Sequence, residues 1–314
     1  MSLAEAHREV SKRNSWMELN VRLEKLAKSE HTKLAGDVFE LVNKHFLLTD
    51  SRYQSILTNV WLLNEVPEAI KIKLNLPDGD EGIDLIAETK LGKFWAIQSK
   101  YRSNPDETLT LSGKGGLATF NTLAFSYCKN ISHGLVLTTV NKPPKKMKLI
   151  KKIGFETLES FLSLDDNEFE GWKILVGSSL KRIIKPIKFT PRPHQVQAIN
   201  NSKKYFETND RGKIIMPCGT GKSLVAFWIA QEMQANTILV AVPSLALINQ
   251  TLKVWTREFL INDIYPIWLC VCSDKTVKEN QDSFVSFTYD LGIEVTTDKE
   301  EISNFLNKKP LIQK

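Results

Sequence analysis

Apolar residues in the first fifty positions recur at helical spacing: Leu19, Leu23 and Leu26, then Leu34, Val38, Phe39, Leu41, Val42 and Phe46. The stretch from about Ser15 to Leu48 is therefore expected to form one or two amphipathic helices. From Val60 the pattern changes to short apolar runs, Val60 to Leu63, Ile70 to Leu76 and Ile83 to Ala87, punctuated by Pro67 and the turn-rich segment LPDGDEG. Such runs predict strands. A further strand is predicted at Phe94 to Gln98, a helix at Leu117 to Tyr127 after a Gly-rich loop, and a buried strand at Gly134 to Val140. Helix, strands, helix, strand is the order of a mixed α/β domain.

A second unit is expected further on. The segment KRIIKPIKFTPRP, residues 181–193, carries three prolines in a polar setting and reads as a linker between a domain at 1–180 and another at 194–314. Beyond it, Lys213 to Met216 and Thr237 to Val242 read as strands, and LVAFWIAQEM after Ser223 as a helix. A length of 314 residues suits roughly two domains. With 42% hydrophobic and 25% charged residues, the chain has a globular composition and is not expected to be disordered or fibrous. Cys128, Cys218, Cys270 and Cys272 are too few and too irregularly spaced for a disulfide framework or a paired zinc motif, so a reducing cytosol is expected, and Cys270 and Cys272, two apart in an apolar stretch, are expected as core thiols. No apolar run suits a signal peptide or a membrane span. The net charge of +6 is lopsided: 28 basic residues face 23 acidic ones up to residue 188, and 14 face 13 beyond it. Six lysines between Lys142 and Lys152 suit either a solvated face or contact with phosphates.

The sharpest local signal is Pro217-Cys218-Gly219-Thr220-Gly221-Lys222-Ser223, placed between a predicted strand and a predicted helix. Such a turn offers backbone N–H groups and a helix N-terminus to phosphates, with Lys222 reaching the β- and γ-phosphates and the Ser223 hydroxyl available to Mg²⁺. Met216 occupies the position where the general phosphate-loop pattern has its leading glycine. In the N-terminal half, Asp84 precedes Gln98 and Lys100 by a spacing that lets two neighbouring strands bring them together, and residues 98 and 100 share a face at the strand period of two. A carboxylate, an amide oxygen and a backbone carbonyl, that of Ser99, make a hard oxygen site suited to Mg²⁺. Lys100 beside it is suited to orienting or deprotonating an attacking water. Asp80 and Glu81 are alternative carboxylates in the preceding turn, and Ser112-Gly113-Lys114-Gly115-Gly116 is either a flexible connector or a loop admitting a phosphate.

Two family resemblances follow from these residues. MPCGTGKS resembles motif I of superfamily 2 helicases and translocases. In that family Gln195, within Pro191 to Ile199, matches the residue that reads the adenine edge, and Pro243 to Gln250 resembles motif Ia, which touches the nucleic-acid backbone. Asp84, Gln98 and Lys100 resemble the PD-(D/E)xK nucleases, in particular the Mrr-like branch with its QxK element. Gly36 to Glu40 resembles that family's first helix, with Glu40 at the acidic position that helps bind metal. The resemblances imply a restriction-endonuclease-like mixed sheet with flanking helices, followed by a partial RecA-like parallel α/β domain. They also imply Mg²⁺ and ATP as cofactors.

Together the two halves resemble the N-terminal part of ATP-dependent restriction enzymes of the type ISP architecture. That implies a Mg²⁺-dependent DNA endonuclease joined to the first part of an ATP-driven translocase, acting on double-stranded DNA. Its partners would be the rest of a longer polypeptide: a second RecA-like domain, a methyltransferase and a target-recognition domain. No DEAH-like acidic strand is evident between Ile267 and Lys314, so ATP hydrolysis by these residues alone is expected to be negligible. The alternatives are a DNA-repair or RNA-processing helicase fragment with a degenerate nuclease fold, or an inactive DNA-binding fragment.

Overall fold

The computed structural model describes residues 3–77, 79, 82–112, 116–144, 152–164, 166–177, 188–273 and 287–307. Asp80, Glu81, the core of the 112–116 loop, most of the 142–152 lysine cluster and residues 181–187 of the linker lie outside these.

The chain opens with three helices, α1 (Leu3–Ser11), α2 (Trp16–Ala27) and α3 (Thr32–Thr49), so the Ser15 to Leu48 periodicity resolves into two helices. Ser15 caps α2 by accepting from the Glu18 N–H. Helix α4 (Ser51–Ile56) follows, capped by Asp50, and leads into β1 (Leu57–Leu62). The Ile70 to Leu76 run, expected as a strand, is instead helix α5 (Glu68–Leu74). Pro67 precedes the helix, Glu68 sits in its first turn, Lys71 and Lys73 in its last, and Asn75 ends it in the left-handed conformation. Ile70, Ile72, Leu74 and Leu76 alternate as in a strand with one covered face, whereas Leu74 is buried and Ile72 is 73% exposed, so the two point to different sides.

Strands β2 (Leu85–Thr89) and β3 (Phe94–Lys100) form a hairpin, with Leu85 opposite Ile97 and Ala87 opposite Trp95. Helix α6 (Leu117–Thr122) continues into a π-helical turn over Leu123–Tyr127, and the chain returns in β4 (Ile131–Thr138) and β5 (Ile153–Glu156). Among the described residues these five strands form one sheet in the order β1-β2-β3-β4-β5, antiparallel through β3 and parallel from β3 to β5. Helices α7 (Leu158–Leu162) and α8 (Asp166–Gly177) close this part.

Alternation along the strands divides the interior in two. Leu85, Ala87, Trp95, Ile97, Leu135 and Leu137 face α1 to α3. Ile86, Phe94, Ala96 and Val136 face α5 and α6. The sheet is thus covered on both faces, as a parallel edge requires.

The remainder contains α9 (Pro193–Phe206), α10 (Lys222–Glu232) and α11 (Leu245–Ile261); α10 and α11 pack through Phe227, Trp255 and Phe259, whose ring centroids lie 4.8–6.5 Å apart. A two-residue parallel pair, β6 (Cys270–Val271) with β7 (Val295–Thr296), and α12 (Lys299–Leu306) follow. The strands expected at Lys213 to Met216 and Thr237 to Val242 do not enter a ladder among the described residues. Ile215 is 83% and Leu239 94% exposed. A parallel strand needs a neighbouring strand to supply its hydrogen bonds and cover over both faces. Cys270 is buried and Cys272 packs against the same core, which fits the core-thiol expectation.

Candidate active site

Asp84 lies at the entrance to β2, where its N–H donates to the Ile97 carbonyl and its own carbonyl accepts from the Leu63 N–H. The adjacent Gly82 has φ +119°, and a β-carbon there would come within 3.3 Å of the Gln98 amide. That backbone conformation is open to glycine and strained for other residues. It lets the chain turn tightly beneath the end of β3.

The Asp84 carboxylate is 8% exposed, and its Oδ2 accepts from the Ser99 N–H at 2.5 Å. Gln98 is fully buried, and its Nε2 donates to the Gly82 carbonyl at 2.9 Å. A carbonyl accepts only, so this bond fixes which way the amide points and leaves Oε1 as the free end. That oxygen is buried and has no hydrogen-bond partner among the described residues. Lys100, half-buried, shares the Gln98 face of β3, and its carbonyl accepts from the buried Thr138 hydroxyl at 2.7 Å. The structure therefore brings Asp84, Gln98 and Lys100 to one end of the β2–β3 pair.

Glu40 lies on α3, the helix packed over this sheet, one turn before Asn43. Residues three apart on a helix are neighbours. Asn43 Nδ2 donates to Ser99 Oγ at 2.8 Å, which brings that part of α3 to the same end of β3. Sequence reasoning missed Asn43 and Gly82. The signal for Asn43 was present: it is a polar residue on the same buried face as Phe39, Val42 and Phe46.

An ion held by these residues would meet a carboxylate, an amide oxygen and a peptide carbonyl, the hard oxygen donors that Mg²⁺ prefers. The orphaned Gln98 Oε1 fits that demand. An unpaired buried amide oxygen otherwise costs about 1–3 kcal/mol.

The second expected site is built on the α10 N-terminus. Gly219 and Gly221 have φ +75° and +78°. A β-carbon at Gly221 would overlap the Gln195 side chain, so the loop closes onto α9 only with glycine there. Gln195 is 5% exposed, accepts from the Arg192 N–H at 2.8 Å and donates to the Thr220 carbonyl at 2.9 Å. Lys222 Nζ donates to the Pro217 carbonyl at 3.0 Å, and Thr220 Oγ1 donates to the same carbonyl at 2.8 Å. The Ser223 hydroxyl is buried without a partner among the described residues, while its backbone carbonyl accepts from Trp255 Nε1 at 3.1 Å. Trp255 was not anticipated; it anchors this loop to α11. The free hydroxyl and the coiled lysine suit a phosphate and its cation.

The two sites belong to parts joined by a buried seam. Arg52 is 1% exposed and pairs with Asp50 at 2.9 Å and with Glu156 at 3.1 Å, while Nη1 also donates to Asn249 Oδ1 of α11 at 3.1 Å. Tyr53 donates to Glu156 at 2.5 Å, and Thr256 and Ser51 bond through their hydroxyls at 3.0 Å. Burial works against the Arg52 charge, yet Asp50 and Glu156 outweigh it and hold its pKa well above the usual value.

Residues 48–168 match the restriction endonuclease family Mrr_cat_2, and residues 188–307 match the family ResIII, the type III restriction enzyme res subunit. Among solved structures, the chain is similar to the ATP-dependent Type ISP restriction-modification enzyme LlaBIII bound to DNA. That match has 23% sequence identity and a TM-score of 0.63, and covers 95% of this chain and 18% of that one. No curated protein matches the sequence.

Proposed function

We propose that this chain, which joins a restriction endonuclease domain to a helicase-like ResIII domain, is the nuclease and nucleotide-binding part of a larger ATP-dependent enzyme that cleaves foreign double-stranded DNA. The observation that carries this reading is the cluster at the end of β3: Asp84 held by the Ser99 amide, the free Oε1 of Gln98, and Lys100 on the same face. The family match over this segment supports it.

Asp84, Gln98 and the Ser99 carbonyl would hold Mg²⁺, with Glu40 contributing from α3. When bound, the ion would acidify a water and offset charge gathering on the phosphate. The protein's own work is positional. The Ser99 amide fixes one carboxylate oxygen of Asp84, and the Gly82 carbonyl turns the Gln98 oxygen outward. Lys100 orients the attacking water and faces the phosphate. Burial keeps bulk water from competing for these groups.

In the second domain, Gly219 to Ser223 would cradle the ATP phosphates, with Lys222 exchanging its bonds to loop carbonyls for the phosphate oxygens and Ser223 holding Mg²⁺. Gln195 would read adenine, a role that requires it to release the Thr220 carbonyl. The matched enzyme is ATP-dependent and was solved with DNA, and this chain spans less than a fifth of its length. We assign the missing functions, a second RecA-like domain, a methyltransferase and target recognition, to a longer polypeptide. The exposed 213–216 and 237–242 segments are suited to completing a RecA-like sheet within it. Among the described residues no helix is long and apolar enough to cross a membrane, and a cytoplasmic enzyme is the reading we adopt.

Supercoiled plasmid incubated with the chain and Mg²⁺ is expected to yield open circles. Asp84→Ala and Lys100→Ala should each reduce that rate by about 10³-fold or more, the scale of losing a group that acts in the transition state. Cleavage at the wild-type rate in both variants would overturn the assignment.

A further inference from the structure

We infer that Asn43 is a positioning residue for the metal centre, acting through Ser99 on the carboxylate of Asp84. This rests on the reading above, that Asp84 and Gln98 hold a divalent cation.

Asn43 is fully buried on the face of α3 that carries Phe39, Val42 and Phe46. It is the only one of these four that brings polar atoms into an apolar layer, and it does so at a cost, because its Oδ1 has no hydrogen-bond partner among the described residues. A residue of similar size such as leucine would carry no such penalty. The compensating bond runs from Nδ2 to Ser99 Oγ at 2.8 Å across 56 residues of sequence. Ser99 stands between Gln98 and Lys100, and its N–H donates to Asp84 Oδ2 at 2.5 Å.

A single relay therefore runs from α3 to the metal-facing carboxylate: Asn43 amide, Ser99 side chain, Ser99 peptide, Asp84. The Ser99 carbonyl, one of the proposed donors, belongs to the same residue. Fixing the Ser99 side chain limits movement of the β3 end on which Gln98 and Lys100 are mounted. Ligand carboxylates are commonly oriented by hydrogen bonds from outside the coordination sphere, and losing such a partner typically weakens metal affinity 10- to 100-fold.

The test is Mn²⁺ binding to the full 314-residue chain without nucleotide, followed by titration calorimetry or by the free-ion paramagnetic signal. Asn43→Leu fills the same apolar space and is expected to keep the helical signal and melting temperature while weakening Mn²⁺ binding at least tenfold. Ser99→Ala breaks the same bond from the other side and provides an independent reading if Asn43→Leu folds poorly. The double variant should bind no worse than the weaker single one, because both remove one interaction. Wild-type affinity in Asn43→Leu and in Ser99→Ala, with binding lost in Asp84→Ala, would overturn the role of Asn43 and leave the metal site standing. Wild-type affinity in Asp84→Ala would overturn the site itself.

Discussion

Two histidines lie in the interior as neutral rings. Burial lowers the His45 pKa to about 4, against a smaller opposing effect of its bond to the Leu41 carbonyl, and His7 and Lys44 push it the same way as burial. Burial, helped by nearby Lys93, lowers His133 to about 3, beneath the Trp95 ring at 4.7 Å. Both bases bind protons more readily in the unfolded chain, so their contribution to stability is fully present above about pH 6.5 and is lost as pH falls toward 4 and then 3. Each costs up to about 1.4 kcal/mol per pH unit inside its window. Glu258 and Glu294, raised by burial, act in the opposite direction. Chemical denaturation should therefore show a loss of about 1–3 kcal/mol between pH 6.5 and 5. The double variant His45→Gln, His133→Gln should be flatter there. A wild-type stability unchanged over that interval would contradict the assignment. At this scale the sequence was most legible where chemistry and spacing coincide. Asp84, Gln98 and Lys100 are polar residues in or beside apolar strands, and the strand period places the last two together. Asn43 was legible only as a polar residue on an apolar helix face; its role, like that of Gly82, depends on which helix covers the end of β3 and on a turn beneath it.

Elements were legible where periodicity was long. The Leu19 to Phe46 pattern extends over several turns, and the Phe94 to Gln98 and Gly134 to Val140 runs are buried on both faces as β3 and β4. Ile70 to Leu76 failed for want of length, since seven alternating residues suit a strand yet are few enough to form two turns of helix. The left-handed Asn75 and the preceding Pro67 decide for a helix. The phosphate loop was legible as chemistry, and its glycines have the positive φ values that such a turn needs. The strands flanking it were legible only as apolar runs. Local sequence cannot supply the neighbours that turn a run into a ladder, and Ile215 and Leu239 remain exposed.

For the whole molecule, the seam between the two matched domains is polar at its centre. Arg52 neutralises the buried Glu156 and the partly buried Asp50, and also reaches α11. Replacing one partner of such a cluster leaves buried charge uncompensated, which typically costs about 3–5 kcal/mol. Arg52→Ala should lower stability by that amount in a denaturant titration, and a change below about 1 kcal/mol would show that the cluster contributes little. No reading of the sequence pointed to this seam, because its members lie about 100 and 200 residues apart. The central claim concerns the end of the β2–β3 pair, where Asp84, Gln98 and Lys100 act as one metal-dependent centre. Groups that act as a unit are non-additive in their loss. The most direct measurement is the single-turnover rate of plasmid nicking in Mg²⁺ by Asp84→Ala, by Lys100→Ala and by the variant carrying both. The account predicts the same low floor for all three; two partial losses that multiply in the double variant, or single variants that cut like wild type, would contradict it.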